Sequence, residues 1–384
     1  MAGRAMAEIK VALVEAGYAV QTLRLASVPF ADVLKGDASK LIQFALDLEA
    51  VCFVHGIDYA TLGPARPTDS PECFNNVPTA LGGTQNIFAS AIIADPMGGI
   101  SLPAVRLAAD IIRRCSTVAV DGFCNLRFAA LANVPAGAPF LPAAYHGGNA
   151  PLFSIGVEAA SLAVKACAEA TSLAEARARL VRLVEEQSQK ISHLVKKVSG
   201  VRGLRFGGID FSLAPYPEAA RSLGTALERL TGGKVGEAGT LAAAAFLADS
   251  LDRARFPNVG FSGMFFPVFE DAVLAARAAE GRLSVSNLLL YASVCGSGLD
   301  TIPLPGDVTT EALAAILVDV AALALRLGKP LTARLMPIPG KAAGDEVIFD
   351  FPYFAPTRVL SPRSSGLGGL LGGDETFDLA PRSR

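Results

Sequence analysis

Isolated acidic residues stand at the ends of predicted strands in the second half of the sequence. Asp210 closes GGID, Glu270 and Asp271 follow FFPVF, Asp300 follows the turn CGSGL, and Asp307 lies in IPLPGD. A buried carboxylate must be paired, protonated or metal-bound, and strand ends line the active crevice of α/β folds. We therefore predict catalytic roles for Asp210 and Asp300, and binding roles for Glu270, Asp271 and Asp307.

Two or three of these carboxylates in one cluster would form an oxygen-rich cation site. Mg²⁺, Mn²⁺ and Ca²⁺ prefer oxygen ligands, so a divalent cation is the cofactor that this pattern suggests. The alternative is structural, because Asp300 and Asp307 lie in predicted turns, where an Asp side chain often only caps backbone N–H groups. The sequence leaves both interpretations open.

Cys295 differs in its setting from the other cysteines of the chain. It ends the run LLLYASV and directly precedes GSG at 296–298. A thiol on a glycine turn is accessible to a substrate, and nearby amide dipoles lower its pKa, so we predict a catalytic Cys295. The alternative is a small buried hydrophobic residue. His146, in AYHGGN, is a further candidate catalytic residue.

Standard catalytic signatures are missing from the sequence. There is no G-x-G-x-x-G after a strand, no G-x-S-x-G, no H-E-x-x-H and no kinase set. TGGKVGEAGT, at 231–240, contains Gly and Lys without the Walker order, and we interpret it as a turn. No cysteine pair has C-x-x-C spacing, which argues against zinc-knuckle and thioredoxin sites.

Composition restricts the class of protein. The 384 residues are 51% hydrophobic, and the formal net charge is −2, which gives no broad electrostatic basis for nucleic-acid binding. The best apolar window, 312–327, contains Asp319 and ends at Arg326, so we expect no membrane segment. The N-terminus shows no signal-peptide core, and the cysteines fit free thiols, so we expect a cytoplasmic location.

Predicted helices and strands alternate along most of the chain, which indicates an α/β architecture. We assign residues 1–360 to a single large barrel domain. TARLMPIPGKAAGDEVIFDF, at 332–351, is predicted to form a β-hairpin, because two alternating runs flank a loop with Pro and Gly. Residues 361–384 are rich in Gly and Ser and are predicted to be a flexible tail.

Five ordered motifs resemble a family of bacterial and archaeal proteins known as domain of unknown function 711 or uncharacterised protein family 0210. The resemblance extends upstream through FAALANVPAGAPFLPAAYHGG, at 128–148. It implies the fold of pyruvate formate-lyase and anaerobic ribonucleotide reductase, a ten-stranded α/β barrel of two five-stranded parallel halves around a finger loop. The motifs are IDFSLAPYP (209–217), VGEAGT (235–240), FSGMFFPVFEDA (261–272), VCGSGLDTIPLPGD (294–307) and RLMPIPGKAAGDEV (334–347).

The same resemblance argues against glycyl-radical chemistry. The radical enzymes carry Arg-Val-x-Gly near the C-terminus, and the nearest string here is RVLS at 358–361, with Ser in place of the radical glycine. Cys295 is the best candidate for the finger-loop thiol. Glu237 replaces the histidine of the family's G-T-H-G-T stretch. We predict that Glu237 and Ser262, in the motif FSGMFF, are binding residues.

We therefore expect an enzyme that acts on a small molecule in the barrel mouth, with carboxylates that supply acid–base or metal-ligand chemistry. The alternative is a non-catalytic metabolite-binding or sensor protein on the same barrel. Ala- and Leu-rich helices at 217–254 and 309–327 could also pack between subunits and give a homo-oligomer. The expected partner is a small-molecule ligand, and neither nucleic acid nor membrane is expected.

Overall fold

Helices and strands alternate along the chain, as the sequence predicts. The computed structural model describes residues 2–148, 150–202, 204–295 and 297–381. The α-helices are α1 (Ala2–Glu15), α2 (Phe30–Val33), α3 (Leu41–Val54), α4 (Pro71–Asn75), α5 (Val77–Gly82), α6 (Leu102–Cys115), α7 (Ala160–Ala168), α8 (Leu173–Arg202), α9 (Leu223–Thr231), α10 (Thr240–Asp252), α11 (Ala272–Ala279), α12 (Val285–Ala292) and α13 (Thr310–Leu327). The β-strands are β1 (Arg24–Ala26), β2 (Tyr59–Ala65), β3 (Ile87–Asp95), β4 (Gly99–Ser101), β5 (Phe128–Ala132), β6 (Leu152–Gly156), β7 (Arg205–Asp210), β8 (Gly298–Pro305), β9 (Leu331–Ile338), β10 (Glu346–Val347), β11 (Thr357–Arg358) and β12 (Thr376–Phe377).

One large, mostly parallel sheet forms the centre of the molecule. Its eight strands include the path β1-β2-β3-β5-β9-β8, and β4 and β12 extend it at β3. The neighbours from β1 to β5 run parallel, β5 and β9 run antiparallel, and β9 and β8 run parallel again. Strands β6 and β7 form a separate parallel pair. The mixed α/β class that the sequence predicts is therefore confirmed.

The central strands are buried along their whole length because both of their faces are covered. Every residue of β5, β8 and β9 is buried. Helix α13 packs against α6, β5 and β9 on one side of the sheet. It begins at the predicted position, since the Thr309 hydroxyl accepts a hydrogen bond from the Ala312 amide at 3.1 Å and caps the helix. Gly328 ends it with a φ of 63°.

The predicted hairpin over 332–351 is wrong. Strand β9 pairs with β5 on one side and with β8 on the other, so both of its edges are already hydrogen-bonded. The chain after β9 instead pairs β10 with β11, in antiparallel register between Val347 and Thr357. A strand in the interior of a sheet has no free edge for a hairpin partner.

The C-terminal segment, for which the sequence predicts flexibility, contains strand β12. Phe377 pairs with Ile100 of β4 in antiparallel register. The guanidinium of Arg106 donates hydrogen bonds to the carbonyl oxygen of Gly372, at 2.7 Å, and to that of Gly373. These contacts attach the segment to the edge of the large sheet. Within the described part of the chain, no helix is long and apolar enough to cross a membrane.

Candidate functional site

A cavity of about 130 Å³ is lined by residues from several strands and from the segments between them. Its wall is largely aromatic and aliphatic, and it also carries charged side chains from several separate elements. The charged residues are Arg24 of β1, Glu158 after β6, Glu270 before α11, Asp300 of β8 and Arg334 of β9. The aromatic residues are Tyr59, Phe88, Phe140, Tyr216, Phe261, Phe265, Phe351 and Tyr353.

Arg334 joins two of the cavity's carboxylates. Its Nε atom lies 2.5 Å from Oδ1 of Asp300, and its Nη2 atom lies 2.8 Å from Oε1 of Glu270. The remaining nitrogen, Nη1, donates to the carbonyl oxygen of Leu126 at 3.5 Å. Only 10% of the Arg334 side chain is exposed, so these charge-assisted contacts lie largely out of solvent.

The strands place these groups through local irregularities. Thr332 and Arg334 are two residues apart on β9, and both line the cavity because alternate side chains of a strand point to the same face. The register of β8 against β9 shifts between Leu299 and Ile302. At this bulge Thr301 has a φ of 42°, which is a strained conformation for a β-branched residue. At this bulge Asp300 faces the cavity from a strand that is buried along its whole length.

Glu270 reaches the same point from a neighbouring segment. Pro267 forms a parallel bridge with Asp300, and the Val268 amide donates to the Asp300 carbonyl oxygen at 3.3 Å. Burial raises the pKa of Glu270 to about 7, since the attraction of Arg334 is weaker than the cost of removing the carboxylate from water. The nearby charges of Asp300 and Glu158 raise it further. Glu270 can therefore both hold and release a proton near neutral pH.

Arg24 lies at another part of the cavity wall. Its Nε atom donates to Oγ1 of Thr22 at 2.8 Å, and its Nη2 atom donates to Oε1 of Gln21 at 3.4 Å. Burial lowers the pKa of Arg24, and the nearby Glu158 carboxylate opposes that change. Glu158 itself pairs with Arg221 at 3.4 Å. The hydrogen bonds of Arg24 thus go to neutral side chains.

Asp210 is fully buried but lies outside the cavity wall. Its carboxylate accepts hydrogen bonds from the amides of Phe261, at 2.7 Å, and Ser262, at 2.9 Å, and from the Ser212 hydroxyl at 2.6 Å. Burial raises the pKa of Asp210 to about 6 despite these bonds. Ser262 donates its hydroxyl to Oδ1 of Asn258 at 2.6 Å. Both predicted site residues therefore hold the 258–262 loop against β7.

Asp271 caps helix α11. One carboxylate oxygen accepts from the amides of Val273 and Leu274, at 2.9 and 3.0 Å, and from the Ser222 hydroxyl at 2.6 Å. The other oxygen accepts from the amide of Gly224 at 3.2 Å. These contacts tie the start of α11 to the start of α9. The structure gives Asp271 a capping role, whereas Glu270, one residue earlier, lines the cavity.

Cys295 and His146 also lie away from the cavity wall. Cys295 is 2% exposed, and burial raises the pKa of its thiol, so the accessible thiolate that the glycine turn predicts is absent here. Gly296, which belongs to that predicted turn, lies outside the described residues. His146 accepts a hydrogen bond at Nδ1 from the Gly148 amide at 3.0 Å, and its own amide donates to the Ser27 carbonyl oxygen.

Glu237 and Asp307 lie at the surface. Glu237 forms an ion pair with Arg282 at 2.7 Å, in a network with Lys234 and Glu280. Asp307 lies between β8 and α13. Among the residues that the structure describes, no group of three or more His, Cys, Asp or Glu side chains is placed to hold a metal ion. Of the predicted site residues, Glu270 and Asp300 are the two that line the cavity, whereas Asp210 and Ser262 contact each other outside its wall.

Three charged cavity residues were missed by sequence reasoning, namely Arg24, Glu158 and Arg334. Each interrupts an apolar run: Arg24 in TLRLA, Glu158 in SIGVEAA and Arg334 in LTARLMPI. Our search considered acidic residues at strand ends, so it did not detect basic residues within strands, such as Arg24 and Arg334. A charged side chain inside a strand that is buried on both faces needs a partner or a cavity, and this was the available signal.

The fold and the site together define an α/β protein with a cavity whose largely aromatic wall also carries arginine and carboxylate side chains. The chain belongs to the family described as Uncharacterised ACR (DUF711), whose model matches residues 1–351. The resemblance inferred from the five motifs is therefore confirmed as family membership.

Relatives from both archaea and bacteria match most of the chain. A UPF0210 protein of Pyrobaculum aerophilum is 35% identical over 347 residues, which cover 86% of this chain and 76% of the relative. A UPF0210 protein of Acetivibrio thermocellus is 30% identical over 352 residues, with 87% and 78% covered. A UPF0210 protein of Neisseria meningitidis is 30% identical over 350 residues, with 87% and 77% covered.

Proposed function

We propose that this protein is an enzyme that moves a proton to or from a small molecule bound in the cavity, with Glu270 as the general acid–base group. The single observation that carries the proposal is that Glu270 lies on the cavity wall. Nη2 of Arg334 donates a hydrogen bond to Oε1 of Glu270 at 2.8 Å and fixes its carboxyl group there. A general acid–base group is most effective when its pKa lies near the working pH, and the pKa of Glu270 is raised to about 7.

Arg334 and Asp300 act as positioning residues in this proposal. Arg334 contacts Asp300 through Nε and Glu270 through Nη2. Because Asp300 fixes the guanidinium, Arg334 can in turn orient the Glu270 carboxyl group. The aromatic side chains of the wall lower the polarity around the site, which strengthens the electrostatic interactions within it. A proton held by Glu270 is thus presented to a bound molecule from a fixed direction.

The predicted barrel is part of the proposal. We propose that ten strand segments close around the cavity, in an arrangement like that of pyruvate formate-lyase. Two isolated parallel bridges support this closure: Pro267 with Asp300 of β8, and Ile209 of β7 with Asn258. In the proposed barrel, the segments at 267 and 258 would connect the path β1-β2-β3-β5-β9-β8 to the separate pair β7 and β6. Each of these elements, or the segment that follows it, contributes residues to the cavity lining, which supports the proposed closure.

Solvent-hydrogen exchange tests the proposal even while the substrate is unidentified. The full chain is incubated in D₂O with a metabolite library, and each compound is analysed by mass spectrometry for deuterium uptake or conversion. We expect at least one compound to exchange or react. Glu270→Gln, which keeps the shape but loses the titratable proton, should reduce that rate by about 100-fold or more.

Glu186→Gln, on the exposed face of α8, is the matched control and should leave the rate unchanged. Equal rates for Glu270→Gln and wild type would refute the role of Glu270. Saturable binding of a compound, without exchange or turnover of any compound, would refute the proposed enzymatic activity. It would favour a non-catalytic metabolite-binding protein on the same fold.

A further inference from the structure

We infer that the cavity binds a small monocarboxylic acid with an apolar body about the size of a six-membered ring, and that the guanidinium of Arg24 pairs with its carboxylate. The inference rests on the proposed function, because it names the class of substrate for the same site. It depends on three separate properties of the cavity: a cation that forms no ion-pair contact with a described residue, a limited volume and an aromatic wall.

Arg24 is the cation that remains available to a ligand. Arg334 already pairs with Asp300 and Glu270, whereas the hydrogen bonds of Arg24 go to Thr22 and Gln21. Of the ion pairs between described residues, none includes Arg24. Glu158 and Glu270 act on Arg24 electrostatically without forming an ion-pair contact. A partly buried guanidinium that lacks such a contact can bind an incoming carboxylate through parallel hydrogen bonds.

The cavity's own carboxyl groups limit the charge of the ligand. Glu158, Glu270 and Asp300 face the same space as Arg24 and Arg334. A second negative charge on the ligand, as on a phosphate monoester, would be repelled by these carboxyl groups. Among the cavity residues, the other cation, Arg334, is already paired. One carboxylate on the ligand, directed at Arg24, matches the available charge.

The volume and the wall define the rest of the ligand. A cavity of about 150 Å³ holds benzene, and this one measures about 130 Å³. Phe140 and Phe261 each pack against Phe265, with ring centroids 5.1 and 5.5 Å apart, and all three line the cavity. Phe88 packs against Tyr59 at 5.3 Å on the wall near Arg24. Such a surface favours an apolar ring or a short branched chain over a sugar or a nucleotide.

Isothermal titration calorimetry of the full chain tests the inference with defined probes. The probes are benzoate, its neutral isostere benzamide, the smaller carboxylate propionate, and inorganic phosphate. We expect benzoate to bind at least tenfold more tightly than benzamide and phosphate, and more tightly than propionate. We expect Arg24→Gln to weaken benzoate binding at least tenfold without affecting benzamide, and Arg24→Lys to retain part of the affinity.

Arg255→Gln, at an exposed position, is the control and should bind benzoate as wild type does. The comparison of benzoate with benzamide uses wild-type protein alone, so it decides the question even where Arg24→Gln fails to fold. Equal affinity for the two, no binding of either, or benzoate binding that is unchanged in folded Arg24→Gln overturns the inference. Exchange of a neutral compound that depends on Glu270, without carboxylate binding, would overturn it and leave the proposed function standing.

Discussion

Asp300 and Arg334 link two neighbouring strands inside the cavity, with Oδ1 of Asp300 2.5 Å from Nε of Arg334. The two residues lie on β8 and β9, which are buried along their whole length. The pair stands beside a backbone bulge at which Thr301 has a φ of 42°. Buried charge and backbone strain at one point both cost stability, and such costs concentrate at functional sites.

Removing the Arg334 guanidinium should destabilise the fold strongly. Arg334→Met leaves the buried Asp300 carboxyl group and the partly exposed Glu270 carboxyl group without their cation. We expect the free energy of unfolding at pH 7, measured by urea denaturation, to fall by about 3–5 kcal/mol. Arg182→Gln, which removes an exposed ion pair with Glu186, should cause no comparable loss. Equal stabilities for Arg334→Met and wild type would contradict the assigned pairing.

Asp210 should make stability depend on pH. Its pKa is raised from 3.8 to about 6 in the folded protein, so between these values the folded state binds more protons than the unfolded state. The free energy of unfolding must then decrease as pH rises from about 4 to about 6. We expect the stability difference between wild type and Asp210→Asn to change in that direction over this window. A difference that is constant with pH would show that Asp210 is ionised throughout.

Asp271 should matter for stability and not for ligand binding. Asp271→Ala leaves the amides of Val273, Leu274 and Gly224 without their acceptor. We expect a loss of about 2 kcal/mol or more in thermal or urea denaturation. At a temperature where the variant is folded, its affinity for benzoate should equal that of wild type. A selective loss of affinity would restore the binding role that the sequence predicts for Asp271.

Cys295 should be unreactive in the native protein. It is 2% exposed and its pKa is raised by burial, whereas Cys167 is partly exposed. After a short iodoacetamide treatment at pH 7.5, peptide mass spectrometry should find more label on Cys167 than on Cys295. In denaturant the two thiols should label equally. Preferential native labelling of Cys295 would support the catalytic thiol instead.

The sequence predicts the fold class well where the apolar pattern is unambiguous. The capped helix α13 and the α/β class follow directly from the sequence, and the five motifs identify the family. AVCFVHG, at 50–56, shows the limit of the pattern: this apolar run favours a strand, but residues 50–54 form the end of α3. Short apolar runs do not distinguish a buried strand from a helix by periodicity. The hairpin prediction failed because local turn signals do not reveal that both edges of β9 are occupied.

The candidate site is only partly predictable for a similar reason. Glu270 and Asp271 are neighbours in sequence, and both interrupt an apolar stretch. Asp271 turns to cap α11, whereas Glu270 faces the cavity. Tertiary packing makes this distinction, and no local pattern encodes it. Arg334 lies 64 residues from Glu270 in the chain, so their contact also depends on the arrangement of the sheet.

The titration of Glu270 tests the central claim most directly. The full chain is labelled with [δ-¹³C]glutamate, and the resonance of Glu270 is identified by its loss in Glu270→Gln. We predict that its chemical shift titrates with a midpoint near pH 7, because burial outweighs the attraction of Arg334. A midpoint near the ordinary value of 4.5 would contradict the account, since Glu270 would then carry no exchangeable proton at neutral pH.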